Sequence, residues 1–222
     1  MCPIIDCFTS AVNKARKPGR PKSTASREQF LDVAVTLFSR QGVAATTLAH
    51  IAKDVGVTSA MVHYHFANRD QLLDAVASER ILPFLNTMWA LITPESLKDP
   101  AQVLRDTAAC IFDHSVKLPW LAPIWLADTA SANGELGQRI MHLLPVDKIQ
   151  QLTESIKADQ SAGKLDPRLQ PHMIFMSMVG LVLLPFATLD NCSQVHPDAD
   201  FSTEALRHHV MSSVDNLLCP RK

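Results

Sequence analysis

Apolar residues recur at helical spacing along most of the chain. Phe30, Val33, Ala34, Leu37 and Phe38 stand at i, i+3, i+4, i+7 and i+8, the inner stripe of an amphipathic helix of about four turns. Ser26 followed by Gln29 has the form of a capping box, and Gly42 supplies a residue suited to the turn that ends the helix. Thr46 or Thr47 caps a short second helix carrying Leu48, Ile51, Ala52 and Val55. Gly56-Val57 interrupts it, and Thr58 opens a third helix through Tyr64. Asn68 and Gln71 fit another capping box at the head of a long helix through Leu72, Leu73, Val76, Ile81 and beyond. Pro83 predicts a kink in it, because proline lacks the N–H and clashes with the preceding turn.

The remainder reads as helices punctuated by proline. Asp99-Pro100 opens a helix to about Lys117, and Leu118-Pro119 another through Trp120, Ile124, Trp125 and Leu126. Residues 136–161 read as one helix, bent at Pro145 and closed by Gly163. Asp166-Pro167 opens the run to Leu189, and Ser202-Thr203-Glu204 caps a last helix to Leu218. Nothing alternates with period two for long, and glycines number seven in 222 residues, about half the usual share. The fold class is therefore all-α, about nine helices. Three parts are expected: an arm over 1–25, a three-helix unit over 26–68, and a helical body over 69–222.

The segment 47–66, TLAHIAKDVGVTSAMVHYHF, is short helix, tight turn, short helix. A helix-turn-helix needs a small residue at the turn and apolar residues facing inward on both helices, which leaves one face of the second helix free for a DNA major groove. Leu48, Ile51, Ala52, Val55, Val57 and Val62 supply the inside; Ser59, Met61, His63, Tyr64 and His65 remain for DNA.

Gly42, Thr46-Thr47, Ile51-Ala52, Gly56-Val57, Tyr64-His65-Phe66 and Arg69-Asp70-Gln71-Leu72-Leu73 follow one another in the order and spacing of a known signature. Over about residues 26–73 the chain resembles the TetR-type transcriptional regulators. It departs from their usual pattern at His63, where Tyr is common, and at Arg69, where Lys is common. The resemblance implies a sequence-specific DNA-binding regulator, a ligand-released repressor that binds a palindromic operator in double-stranded DNA as a dimer. Thr46, Thr47, Ser59, Tyr64 and Arg69 are then expected at phosphates, Met61 on a thymine methyl, His63 at a purine edge, and His65 at a base or phosphate.

Charge adds an arm to this picture. Residues 1–22 hold five Lys or Arg against one Asp, whereas residues 23–222 hold 16 basic against 21 acidic groups, so the overall −1 conceals a basic arm on an acidic body. Lys17-Pro18-Gly19-Arg20-Pro21-Lys22 looks like the core of a minor-groove AT-hook. With it, Arg16, Lys17, Arg20 and Lys22 join the expected DNA contacts.

Large soft side chains crowd residues 84–190. Plain core is the commoner use of such residues, but the resemblance implies an effector cavity among the same helices. Its expected wall is Phe84, Met88, Trp89, Phe112, Trp120, Trp125, Met141, Phe175 and Met176, suited to a small hydrophobic or aromatic effector. His114 and His142 are candidate polar anchors. Helices about 168–190 and 203–218 match the place where such proteins form a homodimer, and the apolar run from Met173 fits an interface better than a membrane span. Five scattered cysteines without a CxxC read as reduced thiols in a cytoplasmic protein. No HExxH or glycine-rich phosphate loop appears, so no metal, cofactor or enzymatic activity is expected. The alternatives are a redox-responsive regulator of the same fold using Cys110 or Cys192, and an all-α enzyme.

Overall fold

The computed structural model describes residues 25–219. Three short helices come first: α1 (Arg27–Gln41), α2 (Leu48–Val55) and α3 (Ser59–His65). The Ser26 hydroxyl accepts from the Gln29 amide at 3.2 Å and Gln29 Oε1 accepts from the Ser26 amide at 3.1 Å, the reciprocal capping box read from the sequence. Thr47, not Thr46, caps α2 by accepting from the His50 amide at 3.2 Å. Gly56 ends α2 at φ 78, ψ 30, a left-handed conformation that a side chain would strain, and this turn sets α3 across α2. Phe30, Leu31, Ala34, Ile51, Val62 and Phe66 are at most 1% exposed and form the centre of this unit. Each such aromatic or aliphatic side chain contributes about 1.5–3 kcal/mol by burial.

A joined rod leaves it. α4 (Arg69–Val76) passes through a π-turn, Ala77–Ile81, into α5 (Leu82–Ala90). Asn68 caps α4 by accepting from the Gln71 amide at 2.9 Å, while Gln71 Oε1 reaches one residue further back, to the Ala67 amide. The π-turn answers Pro83: the Leu82 amide reaches back to the Ala77 carbonyl, and the Glu79 carbonyl, which Pro83 cannot serve, accepts from Arg80 Nη1 at 3.2 Å. Glu79 pairs with Arg27, and Arg80 with Glu28 and Asp32, so the π-turn is tied to α1.

The body contains α6 (Pro100–Lys117), α7 (Leu121–Ile124) with a second π-turn at Trp125–Thr129, α8 (Glu135–Met141), α9 (Val146–Ser161), α10 (Pro171–Val195) and α11 (Thr203–Leu218). Two expectations are corrected. The single helix over 136–161 is two, because Pro145 caps α9 instead of bending a continuous rod. With α4–α5 and α7 with its π-turn each counted as one, the described residues hold ten helical rods, in keeping with the about nine expected. The run expected from Pro167 begins at Pro171, since residues 166–170 form a turn closed on Asp166. Its carboxylate accepts from the Arg168 amide at 3.0 Å, and Gln160 Nε2 donates to the Asp166 and Leu169 carbonyls. α6, α10 and α11 pack together around Leu104, Ala108, Ile111, Val182, Val210 and Val214.

α10 keeps one side bare. Met173, Ser177 and Leu184 are exposed, and nothing lies within 4 Å of the position a Gly180 Cβ would take. These four recur at i, i+4, i+7 and i+11, one helical face. The helix is apolar enough and long enough to cross a membrane by composition, with mean hydropathy 1.9 and 28% of that stretch buried.

Candidate nucleic-acid interface and effector cavity

The outer face of α3 is polar and open. Thr58, Ser59, Ala60, His63 and Tyr64 are exposed, Tyr64 at 86%, while Val62 is buried beneath them. His63 Nδ1 lies 3.3 Å from the Ala67 carbonyl. A carbonyl accepts only, so this contact places a proton on Nδ1 and leaves Nε2 as the outward nitrogen. Met61 and His65 sit half under the helix: Met61 packs on the core, and the His65 ring lies 5.3 Å from Phe30 and 5.2 Å from Tyr64. Thr47 is exposed beside the first turn of α2. His50 and Lys53, which the sequence did not single out, are exposed on the same helix.

Two expected phosphate contacts are used inside the protein instead. Thr46 is 0% exposed; its hydroxyl donates to the Gly42 carbonyl at 2.8 Å and accepts from Gln41 Nε2 at 3.1 Å. It precedes the cap and so points inward. Arg69 donates from Nε to the Thr46 carbonyl at 3.1 Å and from Nη2 to the Val43 carbonyl at 2.6 Å, and it is paired with Glu135. Its fork is committed to the protein. Arg16, Lys17, Arg20 and Lys22 lie outside the described residues.

A second network joins the three-helix unit to the body. The Asp128 carboxylate, 8% exposed, accepts from the amides of Glu135, Leu136 and Gly137 at 3.1, 2.8 and 3.1 Å, fixing the start of α8. The Gly134 backbone passes so close that a Cβ there would meet the Asp128 carbonyl oxygen at 1.8 Å, so this loop requires glycine. α8 then presents Glu135 to Arg69, and Arg139 to Asp70 and Asp74 at 2.9 and 2.6 Å. The Arg69 guanidinium, by its hydrogen bond, holds the Glu135 carboxyl below the usual carboxylate range against the opposing effect of burial.

Behind α8 lies a cavity of about 220 Å³ among α5, α8, α9, α10 and the second π-turn. Phe84, Met88, Trp89, Trp125, Met141, Phe175 and Met176 line it, seven of the nine residues expected there. Two do not. Phe112 packs edge-on against Phe186 with centroids 5.0 Å apart, under the Arg207 guanidinium, and Trp120 packs on the core at the head of α7. Thr129, Thr153 and His172 are wall residues that the sequence did not mark. His114 is turned to its own helix, with Nδ1 2.8 Å from the Cys110 carbonyl, and His142 is exposed beyond the end of α8. Among the described residues no three His, Cys, Asp or Glu side chains converge as a metal site.

An exposed recognition helix on a three-helix unit, joined to a helical body around an apolar cavity, defines an all-α helix-turn-helix protein. Residues 30–76 match the family model of bacterial regulatory proteins, tetR family. Over these residues the chain carries that family's domain. It is 34% identical over 104 residues to the HTH-type transcriptional regulator AcrR of Shigella flexneri, a match covering 46% of each chain. It is 29% identical over 167 residues to the fatty acid metabolism regulator protein of Bacillus subtilis, covering 72% of this chain and 80% of that one. The chain thus spans about half the length of the first of these relatives. The fold matches the ketosteroid transcriptional regulator KstR2 of Mycobacterium tuberculosis with TM-score 0.61 at 14% identity, over 89% of this chain and 97% of that one. A tetR-family regulator structure from Shewanella sp. PV-4 matches with TM-score 0.59 at 18% identity, over 87% and 98%.

Proposed function

We propose that the protein is a cytoplasmic transcriptional repressor that binds a palindromic operator as a homodimer and is released by a small hydrophobic or aromatic effector. The observation that carries this reading is the α8 joint. One end of α8, with the π-turn before it, borders the cavity, and the other contacts hold Arg69 against the carbonyls of Val43 and Thr46 at the foot of the helix-turn-helix. An effector that displaces Trp125–Thr129 or α8 would alter the setting of α3. Tenfold release from DNA requires only about 1.4 kcal/mol of coupling.

The bare face of α10 supports a second copy of the chain as its cover, with α11 beside it. Two recognition helices about 34 Å apart then read successive major grooves on one face of DNA. The name of the Bacillus subtilis relative refers to fatty acid metabolism, and an acyl chain is one apolar occupant that suits the cavity. The redox alternative is less well supported: burial, with a smaller contribution from Asp113, pushes the Cys110 thiol up, away from the reactive thiolate.

The test is selection of random duplex DNA by the purified full-length chain, followed by affinity against salt concentration. A palindromic winner bound by two chains supports the reading. Enrichment of no sequence, with weak binding that vanishes at moderate salt, overturns it.

A further inference from the structure

Two side-chain polar atoms among the described residues are buried without a hydrogen-bond partner, Trp89 Nε1 and Thr129 Oγ1, and both residues are on the cavity wall. Trp89 is 6% exposed and stacked on Phe175, with centroids 5.3 Å apart at 20° between planes, which fixes the plane of the indole. Lys148 Nζ further holds its backbone carbonyl at 2.7 Å. Buried donors are nearly always satisfied, so two orphans on residues that line one apolar cavity mark where a ligand supplies the partner. The rest of the wall offers little competition. Thr153 is satisfied by the Ile149 carbonyl at 2.8 Å, and the one histidine, His172, is exposed. No Asp, Glu, Lys or Arg lines the cavity.

We propose that the cavity takes an uncharged, mainly apolar molecule carrying a hydrogen-bond-accepting oxygen, a ketone or an ester, which is held by Trp89 Nε1–H and the Thr129 hydroxyl. This rests on the reading of the cavity as the effector site and specifies its chemistry. An indole N–H donates only, so the group that meets it must accept. A carboxylate would enter an apolar cavity with no Lys or Arg on its wall, and an ammonium would find no Asp or Glu there; desolvation disfavours both. The volume, about seven liquid waters' worth, admits a ligand with on the order of ten buried non-hydrogen atoms. Thr129 ends the π-turn that contains Asp128, so the oxygen is gripped next to the residue whose carboxylate seats α8.

The test is titration calorimetry of the full chain without DNA, using butyrophenone, its alkene isostere 2-phenyl-1-pentene, and 4-phenylbutyrate. The ketone is expected to bind about three- to tenfold more tightly than the alkene, the range for one net hydrogen bond. The carboxylate is expected to bind at least tenfold more weakly than the ketone. Trp89→Phe keeps the stack on Phe175 and Thr129→Val keeps the shape; together they should bring ketone and alkene to equal affinity while alkene affinity stays within about twofold, which shows that the cavity still folds. Equal affinities in the unaltered protein, a ketone preference that survives the double substitution, tighter binding of the carboxylate, or binding of none of the three would each overturn the proposal. A ketone that binds as expected but leaves a selected operator duplex bound would instead overturn the effector reading and leave this anchor standing.

Discussion

Arg69 and Glu135, 66 positions apart in sequence, meet in a two-armed ion pair in which Nη2 donates to Oε1 at 2.9 Å and Nη1 donates to Oε2. The same guanidinium holds the Val43 and Thr46 carbonyls. One planar fork therefore joins the loop before α2, the first turn of α4 and the first turn of α8. A lysine in its place presents a point charge on a flexible stem and cannot hold this bidentate geometry. The departure from the family's usual lysine thus has a structural use.

Glu135→Gln tests the pair through pH. With its carboxyl held low in the folded protein, Glu135 contributes stability that is fully present above the unfolded-state value of about 4.3 and is lost as pH falls through the lower folded-state value. The carboxylate is 36% exposed, so screening limits the contribution to about 1 kcal/mol or less. Urea unfolding should show a steady gap between the two proteins from pH 7 down to about 5.5, closing below about pH 4. A gap that does not close with acid means that the pair is not its source.

Asp128→Ala removes the acceptor for three amides at the buried start of α8. The expected loss is about 2–3 kcal/mol in urea unfolding, the cost of an absent cap together with orphaned buried donors. Asp128→Asn retains one acceptor oxygen and should lose roughly half as much. An alanine variant within about 0.5 kcal/mol of the parent would show that α8 is seated by other contacts.

On the recognition helix, Tyr64→Phe and His63→Ala should behave differently on DNA. Tyr64 is 86% exposed; if it contacts phosphate as proposed, losing its hydroxyl should weaken binding by about 1 kcal/mol on every sequence alike. His63→Ala should cost about 1–3 kcal/mol on the selected operator and relax preference at one base pair per half-site. Binding of a panel of single-base operator variants separates the two, and a uniform loss from His63→Ala would remove it from base reading.

Deleting residues 1–22 removes five cations and one carboxylate from each chain. If the arm enters the minor groove, the slope of log affinity against log salt should flatten by up to about 4.5 per chain. An unchanged slope would show that the arm does not touch DNA.

Local signals were legible in the sequence because their causes are local. The capping box at Ser26 and Gln29, the left-handed exit at Gly56 and the cap at Asn68 involve residues within four positions of one another. Thr46 and Thr47 show where that logic ends: adjacent threonines suit the cap equally, and packing decides that Thr47 takes it while Thr46 is enclosed. Pro145 was ambiguous in the same way, since proline is compatible with a bend or with a new start. The Arg69–Glu135 and Arg139–Asp74 pairs left no trace in spacing, because they cross more than sixty residues between helices whose relative placement no local pattern encodes. The cavity lay between these cases. Seven large soft residues reached its wall, but Phe112 and Trp120, chemically indistinguishable from them, serve as core.

The π-turn at Ala77–Ile81 makes the rod between the two parts of the molecule carry a phase error. A turn closed five residues back, instead of four, holds one residue more than α-helical pitch allows, worth about 100° of rotation. At even α-helical pitch the stripe of Leu72, Leu73 and Val76 and that of Phe84, Leu85 and Met88 would stand roughly 120° apart about the axis; the extra residue takes up most of that offset, and both stripes are buried. Forcing the same residues into even α-helical pitch, with none deleted, would leave one stripe facing the wrong way. The angle between reading head and cavity is thus written in the count of residues between Val76 and Leu82.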